Sequence, residues 1–415
     1  MKSNAINKME EGRDNTCQII MSREEVDGYV VNLEIPDRAE LPCLDQFSFV
    51  DQLKMPRPCF YMLRVLGVWQ PKNCLWPFHF YSALTYLILL GSMLSILGFE
   101  YVLHGKSEKW RVGSIANSCF TLMNLTLPFA FIKYYFRFGS YDALISSVMQ
   151  SSFEHRVKIR FLSRMYSAFS LGMWILAAVF FYIHWLPFFN RTWHHIVYGF
   201  TVIYTTGWWS SWLSIYGFVC HIHALQAQIF VERMQEVFQN SNRSRADERR
   251  RVGLLLGVYN ELSRWIERTQ REFGKIISFA MAYHTIDAIV FSIAYWDRDF
   301  GTNYSILQYV GGIAFDLASI AIKLYPAAVV SAAVHYITRR SGNECYPHHT
   351  LIDMPLERFQ LYEHLSIREN MIGLRILGVK VTVRIAVGIF VTTVTGLATF
   401  LRFVIANVGT KHSLW

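Results

Sequence analysis

At 415 residues the chain is long enough for two or three soluble domains, yet 53% of it is apolar, 16% aromatic and only 17% charged, with a mean hydropathy of +0.22. Soluble chains carry about a quarter charged residues. A compact soluble enzyme, a disordered chain and a disulfide scaffold are therefore disfavoured together, and lipid is the implied solvent. The net charge of +9 suits a nucleic-acid partner only if the basic residues share one soluble face, so their placement has to be read first.

The first 75 residues are polar and mixed in charge, with apolar patches such as Tyr29 to Val31 too short for a signal-peptide core, so this segment is expected to stay on the side where it is made. Seven stretches then meet the requirement of about 20 mostly apolar residues for crossing about 30 Å of hydrocarbon. They run from Trp76 to Leu103, Val112 to Phe136, Met165 to Phe188, His194 to Cys220, Gly274 to Trp296, Tyr304 to Tyr336 and Val383 to Ile405. Each is apolar all round rather than striped, as a membrane span is. The resulting organisation is an N-terminal segment 1–75, spans one to four in 76–220, helical extensions in 221–273, spans five and six in 274–337, an anchor segment 338–382, a seventh span in 383–406 and a tail 407–415. The fold class expected is all-α, a polytopic membrane protein with a cytoplasmic helical anchor.

Lys and Arg accumulate in cytoplasmic loops. With the N-terminus inside, about 29 basic residues fall on inner segments and about 6 on outer ones, most densely after the fourth span, where Arg243, Arg245, Arg249, Arg250, Arg251, Arg264, Arg268 and Arg271 cluster. The positive charge is thus read as a record of insertion direction, with no nucleic-acid partner, and an odd number of spans places the C-terminus outside. Glycosylation sequons at Asn190 and Asn303 fall on the expected outer loops. The seven cysteines lie in the N-terminal segment, in spans or in the last inner loop, which leaves no extracellular disulfide. This topology is the inverse of that of G-protein-coupled receptors, and neither a D-R-Y after the third span nor an N-P-x-x-Y in the seventh is present, so no G protein is expected.

The inner connection from His221 to Lys275 carries apolar residues at helical spacing on both sides of a polar break, Asn240 to Arg251. The fourth and fifth helices are expected to run well past the membrane and pack together. From Met354 to Val381 two further amphipathic helices are expected, the second starting at Ile372 and carrying Arg375 and Lys380.

Thr395-Gly396-Leu397-Ala398-Thr399-Phe400-Leu401-Arg402-Phe403 resembles the T-Y, five apolar residues, Q-F signature in the seventh span of the insect chemoreceptor superfamily, with Gly396 in place of Tyr and Arg402 in place of Gln. Met62 to Trp69 resembles the amphipathic segment that precedes the first span in these receptors, and Ile372 to Gly378 the start of their seventh helix. On these features and the topology the chain is similar to the gustatory receptor and gustatory receptor-like branch. The resemblance implies a plasma-membrane tetramer, homomeric or built with related subunits. It implies a cation-permeable pore lined by the seventh spans and gated near Thr395, Thr399, Arg402 and Phe403, and a small-molecule pocket in the outer half of spans two to six. No cofactor is implied. A non-conducting light or redox sensor, or a scaffold of the same fold, is the alternative, for which Trp208, Trp209 and Trp212 are the relevant residues.

Ionisable residues inside spans are costly and mark function or helix pairing. Asp287 in the fifth span and Lys323 in the sixth lie at similar depth, and Asp316 is two turns before Lys323, so these three are candidates for an intramembrane polar pair or seam. Aromatic residues gather in the outer half, where Tyr182, Trp185, Tyr204, Phe291, Tyr295, Trp296 and Tyr309, together with Asp287, are the candidate pocket. Such side chains combine large apolar area with polar tips, and they also belt membrane interfaces. Four Arg402 side chains around one axis would repel cations unless they turn away to the surface. The adjacent pairs His194-His195 and His348-His349 lack the spacing of helical metal ligands, and no nucleotide loop or nucleophile elbow is present.

Overall fold

A computed structural model describes residues 57–65, parts of 77–94 and of 144–148, and then 153–185, 192–239, 245–296, 306–345 and 356–412. The expected second span, Val112 to Phe136, and the sequons at Asn190 and Asn303 lie outside the described residues. The architecture is all-α: α1 (Arg57–Val65), α2 (Phe153–Trp185), α3 (Thr192–Gln239), α4 (Arg245–Trp296), α5 (Ile306–Cys345), α6 (Leu356–Glu369) and α7 (Val383–His412), with one short hairpin, β1 (Arg375–Ile376) and β2 (Val379–Lys380), between α6 and α7.

The helix α3 is the axis of the bundle. Every residue from Ser210 to Cys220 is buried, which is what a helix apolar on all sides requires, and α1, α2, α4 and α5 all pack on it. On α2, Tyr166, Ser170 and Ala177 turn inward, while Phe161, Leu171, Ile175, Leu176 and Val179 are bare. The Trp174 indole donates to the Ile203 carbonyl at 2.9 Å and holds α2 to α3. The stretches Phe153–Phe180 and Ala314–Asn343 are each long and apolar enough to cross a membrane. The first begins well before the expected start at Met165, because the basic residues ahead of Met165 continue the same helix.

At 48 and 52 residues, α3 and α4 are about 72 and 78 Å long at 1.5 Å per residue. Both run far beyond one hydrocarbon thickness and pack together, as their apolar spacing requires. The break between them is shorter than the polar composition implies. Arg245 to Arg251 are helical, and Asp247 and Glu248 in the first turn offset the exposed amide ends of α4. At this base of the bundle α6 lies against α4 and α5, with Glu357 in its first turn and Arg368 in its last, both favourable to the helix dipole.

The helix expected from Ile372 is instead the hairpin. Arg375 pairs with Lys380 and Ile376 with Val379, across a two-residue turn in which Leu377 (φ 51°) and Gly378 (φ 81°) are both left-handed, the geometry that closes a tight hairpin. After α6 ends at Glu369, the Met371 and Ile372 amides close on the Arg368 carbonyl, and Gly373 follows at φ 147°. The partners that decide the outcome come from elsewhere in the chain. Gln270 of α4 accepts from the Arg375 amide at 2.7 Å and donates to its carbonyl at 2.8 Å, and the Leu377 amide donates to Ser278 Oγ at 2.9 Å. After the hairpin Thr382 caps α7, its Oγ1 accepting from the Ile385 amide at 3.3 Å.

Candidate functional site

Helix α5 places Asp316 and Lys323 two turns apart on one face, and both are buried, at 2% and 3% exposure. The carboxylate does not stand alone. His284 on α4 donates from Nδ1 to Asp316 Oδ1 at 2.7 Å, an assignment that follows from a carboxylate being acceptor-only. Lys323 Nζ donates to the Ser319 carbonyl at 3.1 Å and lies 5.7 Å from the centre of the Trp209 ring on α3, within reach of a cation–π contact. Aromatic faces close around this group. Phe315 stacks on Phe180 of α2 at 5.0 Å and 7° and meets the His284 ring at 6.3 Å, while Tyr283 touches His284 edge-on at 5.1 Å. A carboxylate, an imidazole and an ammonium thus meet aromatic rings where α2, α3, α4 and α5 converge. In such a place buried charge persists only when paired or hydrogen-bonded.

The side chain of Asp287, expected opposite Lys323, lies outside the described residues; one turn earlier on α4, His284 meets Asp316 of α5. His284, Phe180 and Phe315 were not anticipated. The available signal was the position of His284 one helical turn before Asp287, but no sequence pattern indicates that His284 meets Asp316. Of the expected aromatic pocket, Tyr204 is buried against the core at 8% exposure and Tyr182 is exposed at 38%, its ring lying beside Gly199 of α3. Trp185, Phe291, Tyr295, Trp296 and Tyr309 are helical, and their side chains lie outside the described residues. Below the polar cluster an aromatic column fills the contact between α3 and α4. Trp208 stacks on Trp209 at 4.7 Å, Trp209 meets Trp212 edge-on at 5.6 Å, and Trp212 and Tyr216 enclose Phe273 at 5.5 and 5.3 Å. Among the described residues no group of three His, Cys, Asp or Glu is arranged to hold a metal ion.

The seventh helix, α7, rests on α5 through Ala386 and Ile389, which pack against the core. Its remaining described faces are bare: Thr395, Thr399 and Arg402 are all exposed, and Thr399 Oγ1 donates back to the Thr395 carbonyl at 2.8 Å. The Phe403 side chain lies outside the described residues.

The base of the bundle ties α3, α4 and α6 into one unit. Arg358 of α6 donates to Glu248 of α4 at 2.6 Å and lies 4.7 Å over the Phe238 ring of α3. Arg368 donates to Asn260 at 3.0 Å. Tyr259 sits between Phe230 and His364, and burial pushes its hydroxyl up to about 12. Burial, reinforced by Arg368, holds His364 below the usual imidazole range. The His223 imidazole, buried between α3 and α4, is pushed down to about 4 by the same desolvation.

No known sequence family and no curated protein matches the chain. Solved structures do. The insect olfactory receptor OR5 from Machilis hrabei, alone and in complex with eugenol, superposes with a TM-score of 0.57 over 84% of this chain and 97% of the receptor, at 10% sequence identity. The architecture of this chain is therefore that of an insect olfactory receptor, the wider fold to which the sequence signature pointed; at 10% identity the shared property is the fold.

Proposed function

We propose that the chain is a chemosensory receptor of the insect chemoreceptor superfamily, in its gustatory receptor-like branch: a plasma-membrane ligand-gated ion channel subunit with a cytoplasmic N-terminus. Four copies, of this chain or with related subunits, surround an axis lined by α7. The observation that carries the reading is α7 itself. A helix of 30 residues that packs on its own chain through Ala386 and Ile389, and leaves Thr395, Thr399 and Arg402 bare, is incomplete as a monomer. Two hydroxyls and a guanidinium are poor partners for lipid, so this face is suited to other subunits or to water. The base formed by α3, α4 and α6 is the natural place for subunits to be held together. OR5 has been solved with eugenol, a small molecule with an apolar ring and a polar tip, and the same chemistry fits the ring of Phe180, Phe315 and Trp209 around His284, Asp316 and Lys323. On this reading the ligand is a small, partly aromatic molecule, bound in the membrane half of the bundle and coupled to α7 through α5.

Whole-cell recording from cells expressing the full chain tests this, with eugenol, sugars, bitter compounds, hydrogen peroxide and ultraviolet light as stimuli. A stimulus-evoked current that persists when G-protein signalling is blocked is expected, with Phe315→Ala shifting the concentration for half-activation by about tenfold, as loss of about 1.4 kcal/mol of ring contact would. A response carried only by G proteins, with an N-terminal tag that stains on intact cells, would refute it. The Trp208–Trp209–Trp212 stack favours one second reading, a light or redox sensor; it predicts that ultraviolet light or peroxide alone evokes a response, lost in Trp209→Phe.

A further inference from the structure

From Met371 to Trp415 the sequence contains no Asp or Glu, while Arg375, Lys380, Arg384, Arg402 and Lys411 stand along it. Within α7, Arg384 and Arg402 are eighteen residues apart, which at 3.6 per turn is five whole turns, so the two guanidinium stems leave the helix in the same direction. Val387, Val391, Thr395 and Thr399 lie between them on that face, and all six side chains are exposed. Ala386 and Ile389, the residues that hold α7 to the core, point the opposite way. Among the described residues neither Arg384 nor Arg402 forms an ion pair.

The flanks of this stripe differ from each other. Phe390 and Val394, both bare, project on one side; Thr392 and Gly396 lie on the other, and the space beside Gly396 is open. A knob on one edge and a hollow on the other are the two halves of a head-to-tail contact, which closes into a ring when copies repeat about an axis. The stripe also differs from a lipid-facing surface within the same molecule. Helix α2 shows Phe161, Leu171, Ile175 and Leu176 to its surroundings, whereas the middle of the α7 stripe is two valines and two hydroxyls.

We propose that the α7 ring passes small inorganic anions such as chloride in preference to cations, with Arg384 and Arg402 as the two charged rings at its ends. The inference rests on the tetrameric channel reading above and adds the identity of the permeant ion. Rings of Arg attract anions and raise their local concentration, and α7 itself carries no carboxylate to offset them. Thr395 supplies a hydroxyl donor to a partly dehydrated anion on the stripe, while the single Thr399 hydroxyl hydrogen is already held by the Thr395 carbonyl at 2.8 Å.

The test uses the full chain in proteoliposomes, with radiolabelled chloride and rubidium uptake measured side by side in the presence of each stimulus of the recording panel above. In parallel, Thr395→Cys and Thr399→Cys are treated with a negatively charged sulfonate and a positively charged trimethylammonium thiosulfonate reagent, the unsubstituted chain serving as the blank for native thiols. Chloride uptake above rubidium, and modification on the order of tenfold faster by the anionic reagent, are expected from four screened positive charges acting on ions of opposite sign. Arg384→Glu combined with Arg402→Glu should reverse both preferences. Faster rubidium uptake or faster cationic modification overturns anion selectivity and leaves the channel reading standing. Reaction with neither reagent at Thr399→Cys, in the absence of any ion uptake, means that lipid or protein covers the stripe and overturns the channel reading itself.

Discussion

Acid should loosen the contact between α3 and α4 through His223. Thr269 Oγ1 donates its single hydrogen to the Trp265 carbonyl at 3.0 Å, so toward His223 it accepts, and the 2.8 Å contact is a donation from His223 Nε2. The imidazole is then neutral with its proton on Nε2, and it is 1% exposed. Protonating Nδ1 would place a cation in that interior, and desolvation is the first cause of the fall from 6.5 to about 4. Above the unfolded value both states are neutral and the contribution is fully present. Between the two values the unfolded chain binds a proton that the folded chain refuses, so stability falls as pH falls. At 1.36 kcal/mol per unit the whole loss is about 3 kcal/mol, most of it gone by about pH 4.5. Thermal unfolding of the full chain in nanodiscs, from about pH 7.5 to about pH 4.5, reads this directly. His223→Gln keeps an N–H donor for Thr269 without titrating, and should flatten the dependence by up to one proton between about pH 6 and about pH 5. An unchanged slope in His223→Gln, or a wild-type protein that gains stability on acidification, would refute the reasoning. His364 is depressed in the same direction and adds loss of the same sign at the α4–α6 contact, which His364→Gln separates.

Other consequences concern the base and the hairpin. Arg358→Ala removes both the bond to Glu248 and the stack over Phe238, leaving a carboxylate of 19% exposure unpaired. A loss of about 2 kcal/mol in thermal stability is expected, with a Glu248→Gln double-mutant cycle recovering about 1 kcal/mol as coupling and Arg358→Lys falling in between because it cannot stack as a plane. At Gly373 an added methyl meets Lys380 Cε at 2.7 Å and would sit on a backbone at φ +147°, whereas at Gly378 the space is open and only the φ of +81° opposes it. Gly373→Ala should therefore cost about 2 kcal/mol or more and Gly378→Ala about 1 kcal/mol, measured as loss of hydrogen-exchange protection at the Val381 amide that bonds to Leu374. Equal effects would mean that the hairpin turn, and not the crowding behind it, limits the fold.

Much of the architecture was legible in advance because it follows from composition averaged over long windows. Runs of apolar residues longer than a soluble helix needs, with apolar spacing continuing into charged segments, are enough to require that α3 and α4 outlast the membrane. The same averaging failed at Ile372 to Val381. There a run of Ile, Leu and Val with basic residues reads as a short helix, and the conformation is decided by three side-chain bonds from Gln270 and Ser278, about a hundred residues away in the chain. The polar cluster was half legible. The rarity of charge in a span singles out Asp316 and Lys323, but His284 as the group that meets Asp316 depends on the rotation of α4 against α5, which no local pattern specifies.

Hydrophobic periodicity and the cost of exposing backbone to lipid act along the chain, so the linear order of residues determines that this is a bundle of long helices. Which side chains meet is a property of helix rotation and crossing, set by the simultaneous packing of α2, α4 and α5 on α3. That packing alone brought His284 to Asp316, Trp209 to Lys323 and Gln270 to Arg375. It also turned Arg384 and Arg402 together, away from the core that Ala386 and Ile389 share.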